Sequence, residues 1–456
     1  MSLHELIVHD LLGVGFGPAN MALGVLLQEE QEAGGATPSR LFLEARSEPC
    51  WHPGMLLDGS LIQITVLKDL ALVRNPRSRF TFLNYLHEKG RLFHFLNLRD
   101  LFPSRYEFND YLGWVADQLG DVVRCGRRVT QVTPVGDGAG GVDLLEVTAE
   151  TAAGDEERFR ARNLVVATGG TPWVPPGVEM APGGRVFHAS EFLHRLERDY
   201  PDRSAPYRFV VVGAGQSGAE LFHYLMTRYP QADVTAAVRG HGYKPVDESD
   251  FTNEVFFPEK VDFLYELPED QRRRMVASYR DVNYAVVDAP LIKKIYRLLY
   301  DERVEGRQRA RLLPYLEVRS VRDAPGAAVL DFEHVLTREP MRLEADAAVL
   351  CTGFRWSTRH PLLEGLAPWL ATGADGEYRV ERDYGIAPAR DDFRPRVYLQ
   401  GYCEATHGIS ETVLSLLPMR AGDVARSLAR RLAGAETGVP EPALNEAETA
   451  ELARRA

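Results

Sequence analysis

Cysteine is scarce: the 456 residues contain four, at 50, 125, 351 and 403, and no C-x-x-C joins any two of them. So thin and scattered a set excludes a secreted disulfide framework, a zinc knuckle and a close redox dithiol, and it suits a reducing cytoplasm. Positive charge is short as well. Lys and Arg number 53 against 65 Asp and Glu, a formal net charge of -12, so nothing indicates the basic face that nucleic acid or an anionic membrane needs. Long apolar runs are missing: none approaches the roughly 18 residues of a membrane span. The opening MSLHELIVHD carries Glu5 and Asp10 without a basic n-region, so no export signal is expected. These absences leave small-molecule chemistry in the cytoplasm as the expected class, with neither nucleic acid nor membrane as partner.

Glycine, by contrast, is placed with purpose. DLLGVGFGPAN, residues 10–20, is an apolar strand running into a glycine-rich turn, and FVVVGAGQSGAE, residues 209–220, repeats the arrangement. A helix N-terminus presents unpaired N–H groups and the positive end of a dipole, so strand, tight turn and helix together make a pyrophosphate cradle. Gly213, Gly215 and Gly218 complete G-x-G-x-x-G. In the first copy Gly13, Gly15 and Gly17 precede Pro18, which takes the third glycine position. Proline is tolerated there because its missing N–H would be unpaired at the first helical position.

The end of the next strand separates the two ligands. Glu44 closes RLFLEAR and can accept from ribose hydroxyls, which suits an adenine nucleotide without a 2'-phosphate. Arg239 closes VTAAVR and supplies a cation for a 2'-phosphate, favouring NADP over NAD. Two turns therefore imply two dinucleotides, FAD first and NADPH second.

The chain length allows two or three domains. SRYEFNDYLGWVADQLG reads as a helix with Ser104 and Glu107 as capping box and Gly120 as stop. Strand-like segments at 121–150 suggest an antiparallel excursion before NLVVATGG, and PWVPPGVEMAPGG reads as a connector. The strand signal returns in DAAVLCTGF, residues 346–354, so the second unit is expected to be inserted in the first. The expected architecture is α/β, with two Rossmann-like dinucleotide-binding domains and a small substrate-binding region between them. Its parts are residues 1–206 (first part of the FAD domain), 207–335 (NADPH domain with substrate segments) and 336–433 (remainder of the FAD domain). The Ala-, Glu- and Pro-rich tail, 434–456, has a partly disordered composition. EFLH at 191–194 and EATH at 404–407 match the E-x-x-H of di-iron sites, but those sites live in four-helix bundles, so no metal is expected.

PGGRVFHASEF contains Gly184-x-x-x-His188-x-x-x-Phe192 and resembles the linker fingerprint of flavin monooxygenases that use FAD and NADPH, with Pro182 at the usual leading Phe. LIQITVLKDLALVRNPRSRFTFLNYLHEKGRLFHFLNLRDLFPSRYEFNDYL at 61–112, DFTNEVFFPE, DVNYAVVD and EATHGISETVLSLLP sharpen the resemblance. Together, from about residue 7 to 430, they resemble the microbial N-hydroxylating monooxygenases acting on L-ornithine or L-lysine. One departure is CTGF at 351–354, where that family usually has Ala-Thr-Gly-Tyr.

The resemblance implies that NADPH reduces FAD, that O2 gives a C4a-hydroperoxyflavin, and that a side-chain amine attacks it to yield a hydroxylamine and water. Making that amine neutral at pH 7 costs about 4.6 kcal/mol in water, so the site should desolvate it and keep carboxylates away. By resemblance, Lys68, Asn253, Asn283 and Ser415 surround the amino acid, Lys68 offering its cation to the α-carboxylate and the Asn amides accepting from the amine. Read from the residues alone, Lys68 is first of all a surface strand end, and Asn253 a cap of the NEVFFPE turn. Glu44, Trp51, His52, Gln63, Val129, Thr412, Val413 and Leu414 resemble FAD contacts, although Trp51 also reads as a core aromatic. Gln63 near the flavin edge and Asn283 are the catalytic candidates. Gly215, Gln216, Ser217, Arg239 and Asn283 resemble NADP contacts.

N5-hydroxylation of L-ornithine is the expected reaction, because NEVFFPE and HGISETVLS look closer to ornithine-acting members. L-lysine and the diamines putrescine and cadaverine are the alternatives, and a non-catalytic nucleotide-binding sensor is the alternative of another class. Siderophore biosynthesis and a homo-oligomer, dimer or tetramer, come with the resemblance.

Overall fold

The structure is a computed structural model that describes residues 7–35 and 37–434. The expectations for the tail beyond Gly434 and for the first six residues lie outside the described residues. Among the described residues, no helix is long and apolar enough to cross a membrane.

Val8–Val14 is the centre of the first sheet, parallel to Arg40–Leu43 on one side and to Glu156–Val166 on the other. Leu11, Leu12 and Val14 are buried on both faces, as a parallel strand covered by helices requires. Helix Pro18–Glu32 covers one face and helix Leu417–Leu432 packs on it. Arg396–Leu399 pairs in parallel with Glu156–Val166, so the last strand among the described residues returns to this sheet. Arg127–Gly136 and Val142–Thr151 form the antiparallel excursion expected near 121–150. The helix expected at 104–120 is Arg105–Leu119, with the Ser104 hydroxyl accepting from the Glu107 N–H and Gly120 at φ +50°.

The second sheet is fully parallel, in the order Ala310–Leu313, Asp233–Ala237, Arg208–Val212, Ala347–Leu350, Val186–His188. Here the expected boundaries need correction. Val186–His188 lies before residue 207 and Ala347–Leu350 after 335, yet both belong to the second sheet. The apolar run at 346–354 suits either parallel sheet equally, and only its register against Arg208–Val212 decides. The insertion therefore spans at least 186–350, and the chain enters and leaves it through an antiparallel pair, Thr171–Pro172 with Phe354–Arg355. An antiparallel layer, Leu316–Ala324, Ala327–His334 and Pro340–Ala345, closes one side through Val321, Leu330 and Phe332.

Gly213 directly follows the central strand of this sheet at φ +140°, and a Cβ there would stand 2.2 Å from the Cys351 carbonyl oxygen. Gly213→Ala is expected to cost about 2–3 kcal/mol through backbone strain, seen as an earlier urea midpoint. An unchanged midpoint would contradict the packing.

Candidate functional site

At the first turn, Gly15 adopts φ +81° and a Cβ would meet the Ala167 carbonyl at 2.7 Å, so the tight bend needs glycine. Pro18 occupies the first turn of the helix and Gly17 is its N-cap, with no side chain capping the free amides. Around Gly17 a Cβ would meet nothing within 4 Å. This open, uncapped helix end is the arrangement a pyrophosphate fits. Glu44 directly follows Arg40–Leu43, and its carboxylate accepts from the Phe16 N–H at 2.9 Å and the Arg46 N–H at 3.0 Å. It thus ties the turn to the next strand while keeping lone pairs for a ribose. Gly17→Ala is expected to fold normally but release FAD about tenfold faster, because the methyl fills the cradle and not the core; flavin fluorescence on dilution measures it. Unchanged release would remove the turn from the flavin site.

The second turn repeats the geometry. Helix Gln216–Arg228 starts at Gly215, again without a side-chain cap, and Gly218 lies against the Gly213 carbonyl, where a Cβ would stand at 2.4 Å. This turn opens on a cavity of about 2140 Å³ between the two sheets, large beside the roughly 300–1,000 Å³ of ordinary ligand pockets. Gly213, Gly215, Gln216, Ser217 and Arg239 line it from one side, Trp51, His52 and Thr412 from the other, and Asn283 from the connecting segment. Arg239 is exposed two residues beyond Asp233–Ala237, on the lining of the cavity. The Gln216 side-chain amide is already engaged: Nε2 donates to Asp288 Oδ1 at 2.8 Å and to Glu220 Oε1 at 3.0 Å, and Oε1 accepts from the Asp288 N–H at 2.9 Å.

Where the two halves meet, Tyr284 holds the cavity wall. Its hydroxyl bonds the Glu404 carboxylate and lies 2.8 Å from the Thr412 hydroxyl, while Arg280 stacks over its ring at 4.9 Å. Burial pushes the Glu404 carboxyl above its usual range and the Tyr284 bond draws it partly back. On the opposite wall, His188 of the linker fingerprint is buried; Nε2–H donates to the Gly353 carbonyl at 3.0 Å and the ring meets Phe354 edge-on at 5.0 Å. Burial lowers its pKa, and the bond to the Gly353 carbonyl draws it partly back. Phe354 is the residue of CTGF that departs from Tyr, and it packs here as a plain aromatic between His188 and Trp356.

Lys68, Gln63, Asn253 and Ser415 lie outside the lining of the large cavity. Lys68 ends the 3-10 turn Val66–Lys68, which packs against Leu414–Leu416 and thereby approaches buried Ser415. Val413 and Leu414 are half-buried beside it, whereas Gln63 is exposed on the neighbouring segment. Asn253 ends the short helix Asp250–Asn253; its side chain does not cap the following turn, and its Nδ2 instead donates back to the Glu248 carbonyl at 3.0 Å. The next turn, Glu254–Phe256, packs on Ile409–Thr412. The Trp51 ring is half-buried between His52 and Phe108, and the residue's backbone N–H donates to Asn109 Oδ1 at 2.8 Å. The Val129 side chain is in the first core, so only its backbone is available to a ligand.

The profile of the family described as L-lysine 6-monooxygenase/L-ornithine 5-monooxygenase matches residues 7–356. The chain belongs to this family. An L-ornithine N(5)-monooxygenase of Burkholderia cepacia is 44% identical over 405 residues, 88% of this chain and 90% of that protein. The ornithine hydroxylase PvdA of Pseudomonas aeruginosa superposes with a TM-score of 0.87 at 38% identity, covering 93% of this chain and 100% of that one. The ornithine N-hydroxylase KtzI of Kutzneria sp. 744, solved with reduced FAD, NADP+ and L-ornithine, gives 0.88 at 36% identity over 93% and 100%.

Several residues around the cavity of this monooxygenase carry no local sequence signal. Arg105 pairs with buried Glu220 at 2.8 Å and donates to the Met55 carbonyl at 3.2 Å, joining the first unit to the helix after the second turn. Tyr284, next to Asn283, and Glu404, within EATH, were not singled out as site residues, because partners 120 positions apart leave no local signal. The other half of EATH is structural. His407 is buried, stacks on Tyr384 at 4.1 Å and lies 3.2 Å from the Arg382 carbonyl. Among the described residues no cluster of three or more His, Cys, Asp or Glu side chains suits a metal.

Burial, and then the Arg382 charge, lower the His407 pKa from 6.5 to about 3. The unfolded chain binds this proton first as pH falls, so His407 stability is present above pH 6.5 and is lost toward the folded pKa. Between pH 6.5 and 4.5 the loss is about 2–3 kcal/mol. His407→Phe is expected to flatten that fall in thermal melts, and a slope equal to the parent's would contradict it.

Proposed function

We propose that this monooxygenase hydroxylates the side-chain nitrogen of L-ornithine to N5-hydroxyornithine, with FAD and NADPH as cofactors. One oxygen atom of O2 enters the product, the other leaves as water, and NADPH supplies the electron pair. The observation that carries the reading is the pair of open, uncapped helix ends, one followed by Glu44 and one by Arg239. Ornithine rather than lysine rests on likeness to the ornithine-acting relatives.

When bound, FAD supplies the redox chemistry that couples NADPH oxidation to oxygen insertion. The chain's own residues do the rest. The first turn and Glu44 hold the flavin's pyrophosphate and ribose, while Val129, Thr412, Val413 and Leu414 flank it. The second turn, Ser217, Gln216 and Arg239 hold NADPH in the cavity. Lys68 pairs with the substrate α-carboxylate, near Ser415. Asn253 and Asn283 offer amide oxygens that accept from a neutral amine without fixing its charge. Gln63 offers a side-chain amide that steadies the reacting centre by hydrogen bonding. Glu404 is the carboxyl on the shared wall; Tyr284 engages it, which keeps it from holding a proton on the substrate nitrogen.

Hydroxylamine formation assayed side by side with ornithine, lysine, putrescine and cadaverine tests the reading. One methylene is worth about 1–3 kcal/mol, so ornithine should exceed lysine in kcat/KM by about tenfold or more. Lysine or a diamine ahead of ornithine would overturn the substrate, and no hydroxylamine from any amine would favour a nucleotide sensor. The assembly is expected to be a dimer or tetramer, to be read by light scattering.

A further inference from the structure

Inside the first unit, a chain of buried polar side chains runs from the flavin turn to the segment bearing Thr412–Ser415. Asn20 is fully buried in the first turn of helix Pro18–Glu32 and donates Nδ2–H to the Gly15 carbonyl at 2.6 Å. Its Oδ1 accepts from Gln400 Nε2 at 2.8 Å, and Gln400 Oε1 accepts from Arg420 Nε at 3.3 Å. Arg420 then pairs with Glu411 Oε2 at 2.6 Å and also donates to the Glu411 carbonyl at 2.7 Å. The remaining Glu411 oxygen accepts from the Gly401 N–H at 2.6 Å. Glu411, Gln400 and Arg420 are each 4% exposed or less.

Two features separate this chain from ordinary core polarity. A buried ion pair contributes little net stability compared with well-packed apolar side chains, so its retention calls for another role. Its geometry also supplies one: Glu411 precedes the 412–416 segment and Arg420 follows it, so one guanidinium clasps both ends of that loop. At its far end, Asn20 fixes the carbonyl of Gly15, whose left-handed conformation aims the turn's amides. Among the described residues, none of these four side chains has a buried polar atom without a partner, as a network that must hold one geometry requires.

We propose that Arg420, through Glu411 on one side and Gln400–Asn20 on the other, is a positioning residue that sets the distance between the flavin turn and the substrate-bearing 412–416 loop. The proposal rests on the reading that Thr412–Leu414 border FAD and Ser415 the amino acid. The proposed role of Asn20, Gln400, Arg420 and Glu411 is to hold the groups that meet the ligands rather than to meet them themselves.

The test uses the full-length FAD-loaded enzyme with Arg420→Lys, which keeps the charge but loses the fork, and Gln400→Leu, which cuts the link to the turn and leaves the ion pair. Arg420→Lys is expected to raise the KM for L-ornithine about tenfold and to divert NADPH oxidation toward hydrogen peroxide. Its anaerobic flavin reduction by NADPH stays within twofold. Gln400→Leu is expected to release FAD about tenfold faster on dilution, and it keeps the test available if Arg420→Lys does not fold. Both variants melting earlier with parental KM, coupling and FAD release would reduce the network to a structural one and overturn the proposal. If the parent enzyme makes no hydroxylamine, the functional reading fails, while FAD release from Gln400→Leu still decides the relay.

Discussion

Lys68→Ala is expected to raise the KM for L-ornithine about 10- to 100-fold while leaving anaerobic flavin reduction by NADPH within twofold. The size follows from the interaction removed: a charge-assisted bond to a carboxylate contributes about 1.5–3 kcal/mol. The direction follows from placement. Lys68 is half-buried at the end of Val66–Lys68, beside Leu414–Leu416, and outside the large cavity, so its loss should not touch NADPH. Putrescine supplies an internal control. It has no carboxylate, so its kcat/KM should be the same in parent and variant, and an equal loss with both amines would assign Lys68 a structural role. An unchanged ornithine KM would remove Lys68 from the substrate site.

Arg239→Ala is expected to raise the KM for NADPH about 10- to 100-fold and to leave that for NADH within about threefold. A guanidinium on a phosphate is a bidentate, charge-assisted contact, and NADH lacks the phosphate it would grip. Arg239 is exposed on the cavity beyond Asp233–Ala237, so its truncation removes no packing and the two coenzymes separate binding from folding. Arg239→Lys keeps the charge without the fork and should fall between. A parallel loss with NADH would place the 2'-phosphate elsewhere.

Much of the site was legible because it is local. The turns at 13–17 and 213–218 announce themselves through strand, glycines and helix within a dozen residues, and the acid or base ending the next strand follows from the same unit. The Ser104 cap and the Gly120 stop were readable for the same reason. What escaped was long-range. Ala347–Leu350 reads as an apolar strand, but its place beside Arg208–Val212 depends on register that no local pattern carries. The partners of Tyr284 lie 120 and 128 positions away, and those of Gln400 and Glu411 span the interior from Asn20 to Arg420. EATH shows the converse, a spacing that matches a ligand motif while the fold separates its two ends, turning Glu404 to the cavity and burying His407 against Tyr384.

The central claim, that one turn grips FAD and the other NADPH, is tested most directly by mixing the purified protein with each nicotinamide coenzyme without oxygen and following the flavin band. The expected result is a yellow protein with one FAD per chain that bleaches with NADPH at a KM well below that for NADH. A colourless protein that FAD cannot reconstitute, or a yellow one that neither coenzyme bleaches, would contradict it.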